Sequence, residues 1–179
     1  AQSGNIEDGG TYGNLTWKLT TAGRLTISGS GEMKFASLDE YPWSSYQAKV
    51  KEIVVMSGVE NIAALAFSDF SSLTTLSLKN GLQKIEDEAF QNCWSLEKVV
   101  FPDSMTELGV GAFSYCTKLK NVTFSKNLVT INSGAFFGSG LEMVVLPTSL
   151  KDLGWKAFRG CTELTGVKLN DGLETIGDG

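Results

Sequence analysis

The dipeptide Ala-Phe recurs at 66–67, 89–90, 112–113, 135–136 and 157–158, in steps of 23, 23, 23 and 22 residues. A fixed period of this length marks a solenoid, in which each repeat is one coil stacked on the last. Other columns align on the same beat. A Leu follows each Phe by six residues (Leu73, Leu96, Leu119, Leu164), or by five in the shortened repeat (Leu141). Apolar residues come next in pairs two apart: Leu76/Leu78, Val99/Phe101, Val122/Phe124, Val144/Leu146 and Val167/Leu169. Then come turn triplets such as Lys79-Asn80-Gly81 and Pro102-Asp103-Ser104, whose residues supply the backbone angles of a tight corner. A last apolar pair closes each coil: Leu82/Ile85, Met105/Leu108, Leu128/Ile131, Leu150/Leu153 and Leu173/Ile176. A degenerate earlier coil, with Ile53, Val55, Val59 and Ile62, leads into Ala66-Phe67.

Apolar residues two apart place both side chains on one face of a strand. One strand per coil, stacked in register, predicts a parallel sheet with rungs about 4.8 Å apart. The Ala-Phe segment predicts a single helical or 3-10 turn, too short for a longer helix. Ala permits close approach to the sheet, and Phe67, Phe90, Phe113, Phe136 and Phe158 fill the coil interiors. A large buried side chain contributes roughly 1.5–3 kcal/mol, and ordering a residue costs about 1–2 kcal/mol. About six or seven such side chains cannot offset the ordering of one coil, so the stack folds as a unit.

The run from Leu96 to Cys116, L-x-x-V-x-F-P-x-S-x-x-x-L-x-x-x-A-F-x-x-C, resembles the BspA-type leucine-rich repeat. The resemblance covers residues 50–179. Segments 11–17, 23–33 and 41–46 resemble the leader that often precedes such repeats. Together these readings give an α/β fold: a right-handed leucine-rich-repeat solenoid with a parallel sheet, short helical or 3-10 turns and an N-terminal β-hairpin cap. Residues 1–10 are expected to be loosely ordered. Residues 11–49 form the cap and a bridge, with Leu15, Trp17 and Leu19 alternating in one strand and Leu25 and Ile27 in the next. Trp43 and Tyr46 in the bridge anchor the cap. Residues 50–179 form about five coils and a partial one. The chain stops at Gly179 just before a sixth Ala-Phe. Two alternatives follow: the natural protein continues, or the exposed C-terminal edge pairs with a second chain.

The net charge of −5 and a pI of about 4.8 argue against nucleic acid, whose binders carry a basic footprint, and against an anionic membrane surface. No apolar run is long enough for a membrane span. The chain has no His, which removes the commonest general base and the usual triads. Gly29-x-Gly31 is followed by Lys34 where a dinucleotide fingerprint needs Gly. Glu86-Asp87-Glu88 lacks the spacing of a calcium loop and reads as a solvated corner. Lys49 and Lys51 read as solvated. Cys93, Cys116 and Cys161 share one repeat column with Phe70 and Ser139. They read as small buried thiols, with Cys93 and Cys116 close enough on adjacent rungs for a disulfide to be the alternative. The sequence offers no catalytic residues, metal ligands or cofactor site. A glycosidase would need two acids across a cleft, and no column of acids exists.

The outward positions of the strands are the candidate binding surface: Val54, Lys98, Val100, Asn121, Met143 and Val145. Apolar side chains stand here where solvent is expected, which can mark a partner site. Trp94, Tyr115, Phe137 and Trp155 lie near the Ala-Phe turns and either line a ridge or pack between coils. Proteins resembling this one are mostly bacterial surface or secreted proteins. The resemblance therefore implies a non-catalytic module at the cell surface that binds an extracellular protein or glycan. A structural spacer projecting another domain is the alternative.

Overall fold

The computed structural model describes residues 5–37 and 39–179. Residues 1–4, part of the segment read as loosely ordered, and Leu38 in the bridge lie outside the described residues. The fold is a β-solenoid of about five turns with two parallel ladders. The first holds β4 (Glu52–Val55), β6 (Thr75–Leu78), β8 (Lys98–Val100), β10 (Asn121–Thr123), β12 (Met143–Val145) and β14 (Gly166–Lys168). The second holds β5 (Asn61–Ile62), β7 (Lys84–Ile85), β9 (Glu107–Leu108), β11 (Thr130–Ile131), β13 (Asp152–Leu153) and β15 (Thr175–Ile176), paired without interruption. Each coil thus has two strands and not one. The apolar pair that closes the coil is extended because its second member enters this second ladder, as Ile85 pairs with Leu108 and Leu108 with Ile131. The first ladder loses regular pairing between β6 and β8 and between β10 and β12. The second gap falls beside the 22-residue step.

The third side of each coil, around Ala-Phe, is not helical. Among the described residues the one helix is the 3-10 turn Ser44–Tyr46, so the α/β expectation gives way to an all-β architecture. The residues two before and two after each Phe have left-handed backbone: Leu65 and Asp69, Glu88 and Asn92, Gly111 and Tyr115, Gly134 and Gly138, Lys156 and Gly160. Such residues end a right-handed helix. The Phe amides then reach out of the coil. Phe67, Phe90, Phe113 and Phe136 donate to the carbonyls of Ala89, Ala112, Ala135 and Ala157 at 2.7–2.9 Å. The physical reason is width. An α-helix is about 10 Å across, whereas two strand ladders impose a rise of about 4.8 Å per coil.

The interior is a column of rings. Phe67, Phe90, Phe113, Phe136 and Phe158 stack in order, with centroids 5.4, 5.1, 5.7 and 5.7 Å apart. The first four are fully buried, and Phe158, with no coil beyond it, is only partly buried. At the other end Trp43 stacks on Phe67 at 5.5 Å, and Tyr41 stacks on Trp43 at the same distance. The Trp43 indole donates to the Ala66 carbonyl at 2.7 Å.

Trp43 therefore occupies the Phe position of an earlier coil. β3 (Arg24–Gly29) pairs in parallel with β4, Arg24 opposite Glu52 and Ile27 opposite Val55. Gly31 bridges in parallel to Val59. Both registers are offset by 28 residues, so residues 24–51 make a longer coil with no Ala-Phe signature. The parallel pairing thus begins at β3. Asn61, buried, stitches this coil to the next. Its Oδ1 accepts from the Met33 amide at 2.6 Å, and its Nδ2 donates to the Met33 carbonyl and to Glu86.

Before it lie β1 (Ile6–Tyr12) and β2 (Leu15–Thr20), which continue the sheet as an antiparallel meander, β1-β2-β3. Ile6 to Gly10, expected to be loosely ordered, are the first part of β1. Pairing with β2 orders them, with Asp8 accepting from the Tyr46 hydroxyl and Glu7 paired with Lys49.

The three thiols are free and buried. Each donates to a Phe carbonyl of the preceding coil: Cys93 to Phe67, Cys116 to Phe90 and Cys161 to Phe136, at 3.1–3.3 Å. Burial pushes the Cys93 and Cys161 thiols up, which disfavours the reactive thiolate.

Two measurements check these assignments. Phe113→Ala should destabilise the protein by about 3–5 kcal/mol in denaturant titration, and Phe158→Ala by clearly less. Equal costs would contradict the stack. The native protein should react slowly with a thiol reagent at pH 8 and yield three equivalents once unfolded; rapid native reaction would contradict the buried column.

Candidate binding surface

The strand side presents two outward rows, because side chains alternate along each strand. One runs Glu52, Thr75, Lys98, Asn121, Met143, Gly166 and the other Val54, Ser77, Val100, Thr123, Val145, Lys168. In β4, β8 and β12 the residue between them, Ile53, Val99 or Val144, is buried in the core, whereas Val167 of the last strand is exposed. In-register pairing fixes the neighbours. Lys98 lies opposite Asn121 and Val100 opposite Thr123. Met143 lies opposite Gly166 and Val145 opposite Lys168.

The six candidate residues are not equivalent. Met143 and Val145, both 55% exposed, flank one another on β12. Val100 is exposed on β8, two rungs away, with Thr123 between. Val54 is half-buried between Thr26 and Ser77. The structure thus gathers Val100, Met143 and Val145 across three rungs and leaves Val54 apart. Hydroxyls interrupt the apolar row, so no continuous stripe forms.

Charges lie along the edge of this face. Lys98, Lys118, Lys120, Glu97 and Asn121 surround a shallow depression. The Lys120 ammonium sits 2.8 Å from Glu142, which holds its pKa above the ordinary lysine value. Arg24 donates two bonds to Glu52 at 2.7 and 3.1 Å. These are coil-to-coil pairs, as are Lys84–Glu107 and Lys151–Glu174. Exposed pairs of this kind contribute little each, and they fix the sign of the surface more than its stability.

The acidic run divides into separate tasks. Glu86 accepts from Asn61 and from the Ala64 amide, and Asp87 accepts from the Val110 amide of the next coil. Among the described residues no cluster of three or more His, Cys, Asp or Glu could hold a metal ion, and no helix is long and apolar enough to cross a membrane.

On the turn side a second feature appears. Val110, Tyr115, Phe137, Trp155 and Lys156 surround an apolar notch of about 290 Å³. Gly111 and Gly134 also line it, and their left-handed φ of 60° and 61° suits glycine. The Tyr115 ring leans over Gly138 and meets Phe137 edge-on, with centroids 5.4 Å apart. The Lys156 ammonium lies 3.4 Å from the centroid of the Trp155 ring. Trp94 is exposed but is not part of the notch. The aromatic residues were legible as turn-side positions. Val110 and Lys156 were not singled out, although a one-by-one comparison of turn columns would have found them.

Comparison with known proteins agrees with this geometry. The family model described as the BspA type leucine rich repeat region matches six copies, over residues 39–165 and 132–179. The fold is similar to the crystal structure of the pneumococcal vaccine antigen PcpA, with a TM-score of 0.65 and 25% identity over 94% of this chain and 51% of that one. It is also similar to a leucine-rich repeat protein of T. pallidum, with a TM-score of 0.52 and 26% identity over 90% of this chain and 72% of that one. A leucine-rich cell surface protein of Faecalibacterium prausnitzii shares the fold at 20% identity and a TM-score of 0.55, over 91% of this chain and 55% of that one. The chain spans about half the length of PcpA and of the F. prausnitzii protein. A search of curated protein sequences finds no match. Six matched repeats over most of the chain, on a fold shared with these bacterial proteins, establish that it belongs to the BspA-type leucine-rich repeat family.

Proposed function

We propose that the chain is a non-catalytic module of a secreted or cell-surface bacterial protein, and that it binds an extracellular protein through its strand face. The observation that carries this reading is the exposed group Val100, Met143 and Val145, set on rigid rungs beside Lys98 and Asn121. A partner covering these residues would bury apolar area at its centre and meet lysine, asparagine and hydroxyl groups at its rim, as protein interfaces do. Family membership supports the reading, since such repeats serve as protein-binding surfaces. The F. prausnitzii protein is described as a cell surface protein, and placing this chain at a cell surface is part of the proposal. So are an adhesive role, the right-handed sense of the coil, and the use of the β1-β2-β3 meander as a cap that closes the first rung. A cap is needed because an open rung exposes unpaired backbone and core.

The test is a screen of the immobilised chain against a panel of extracellular proteins and glycans. A protein binder should emerge whose affinity falls at least about tenfold with Val100→Lys and with Val145→Lys, as loss of a central contact does. A binder that tolerates both substitutions would place the site elsewhere. A glycan binder with no protein binder would reverse the partner class.

A further inference from the structure

The turn face repeats its columns from coil to coil, so residues on it can be matched by rung. Three residues before each Phe stand Ala64, Asp87, Val110, Ser133 and Trp155. Two before it stand Leu65, Glu88, Gly111, Gly134 and Lys156. Bulk and charge are distributed unevenly along these columns. Coil two carries acids, Asp87 and Glu88. Coil three carries a protruding Val110, 43% exposed. Coil four carries only Ser133 and Gly134, which leaves the notch. Coil five carries Trp155, 51% exposed, and the cation Lys156. Among the described residues neither Glu88 nor Lys156 takes part in an ion pair. Both hold a left-handed φ of 55° in a column where glycine sits without strain.

We propose that a second copy of this chain covers the turn face in antiparallel orientation, about a two-fold axis lying between coils three and four. Such an axis exchanges coil two with coil five and coil three with coil four, and it keeps each column in line. Glu88 of one copy then meets Lys156 of the other, twice by symmetry. Val110 of one copy enters the notch over Ser133 and Gly134 of the other, also twice. Asp87 faces the rim of Trp155. Equal rung spacing in the two copies keeps these matches in register, and a two-fold interface requires one self-complementary patch. This face supplies both halves of the match, a protrusion with a notch and an acid with a base. That is why a second copy, and not an unrelated protein, is its occupant. Four rungs at about 4.8 Å give a contact only about 20 Å long, shorter than the roughly 28 Å side of a square patch of about 800 Å², the standard interface area per partner. The dimer is therefore weak and concentration-dependent, and it leaves the strand face free for the partner proposed above.

Sedimentation equilibrium of the purified chain, from about 10 μM to about 1 mM, tests the proposal. The wild type should pass from monomer to dimer across this range, and less so at high salt. Lys156→Glu and Glu88→Lys should each weaken the dimer at least about tenfold, because each puts two like-charge contacts at the interface. The combined variant recreates the pairs with signs reversed and should restore the dimer to within about threefold of wild type. Circular dichroism and melting curves verify that all three variants fold. A chain that stays monomeric throughout would overturn the proposal. So would a dimer that neither single substitution weakens, as association through the C-terminal edge would give, or a dimer that the combined variant fails to restore.

Discussion

The Phe113 amide donates to the Ala135 carbonyl of the next coil at 2.7 Å, and the equivalent bond recurs at Phe67, Phe90 and Phe136. This bond sets the third side of the coil to the same rise as the two strand ladders. Once all three sides advance by one strand spacing, side chains in a given column are forced into contact with their counterparts above and below. The ring stack is the largest consequence. The rows of thiols, the salt bridges from coil to coil and the outward rows of the strand face are others. A helical third side would have broken this equivalence, since a helix needs about twice the spacing.

Equal spacing also shapes what the molecule can do. Function on such a scaffold is distributed over rigid rows, each position tunable by one substitution per coil. The strand face uses this for the scattered group Val100, Met143 and Val145. The turn face uses it for the order acid, protrusion, notch and cation from coil two to coil five. Acids and bases such as Glu97, Lys98, Lys118 and Lys120 meet in a shallow surface depression, because each rung offers its polar groups outward.

Much of the fold was legible from the Ala-Phe beat, since five recurrences fix period, stacking and the interior role of Phe. The second ladder was hidden because its strands are two residues long, as at Lys84–Ile85, too short to show alternation. The turn conformation was hidden because left-handed backbone falls on Leu65, Glu88 and Lys156 as well as on glycines, and such side chains carry no local signal for it. Residues 24–51 were hidden because their coil is longer and Trp43 stands where Phe would. The strand-face residues were legible from alternation. Their grouping was not, because Val54 is half-buried by its neighbours in a way that only the stacked meander creates.

Native-state hydrogen exchange, read amide by amide, tests the central claim most directly. The amides of Phe67, Phe90, Phe113 and Phe136, bonded from coil to coil, should exchange as slowly as those of the central strands. Protection in a cooperative stack tracks global opening. The amides of Gln91 and Ser114, bonded only within their own turns to Glu88 and Gly111, should exchange faster. Rapid exchange at the four Phe amides, with slow exchange in the strands, would contradict a third side built from coil-to-coil bonds.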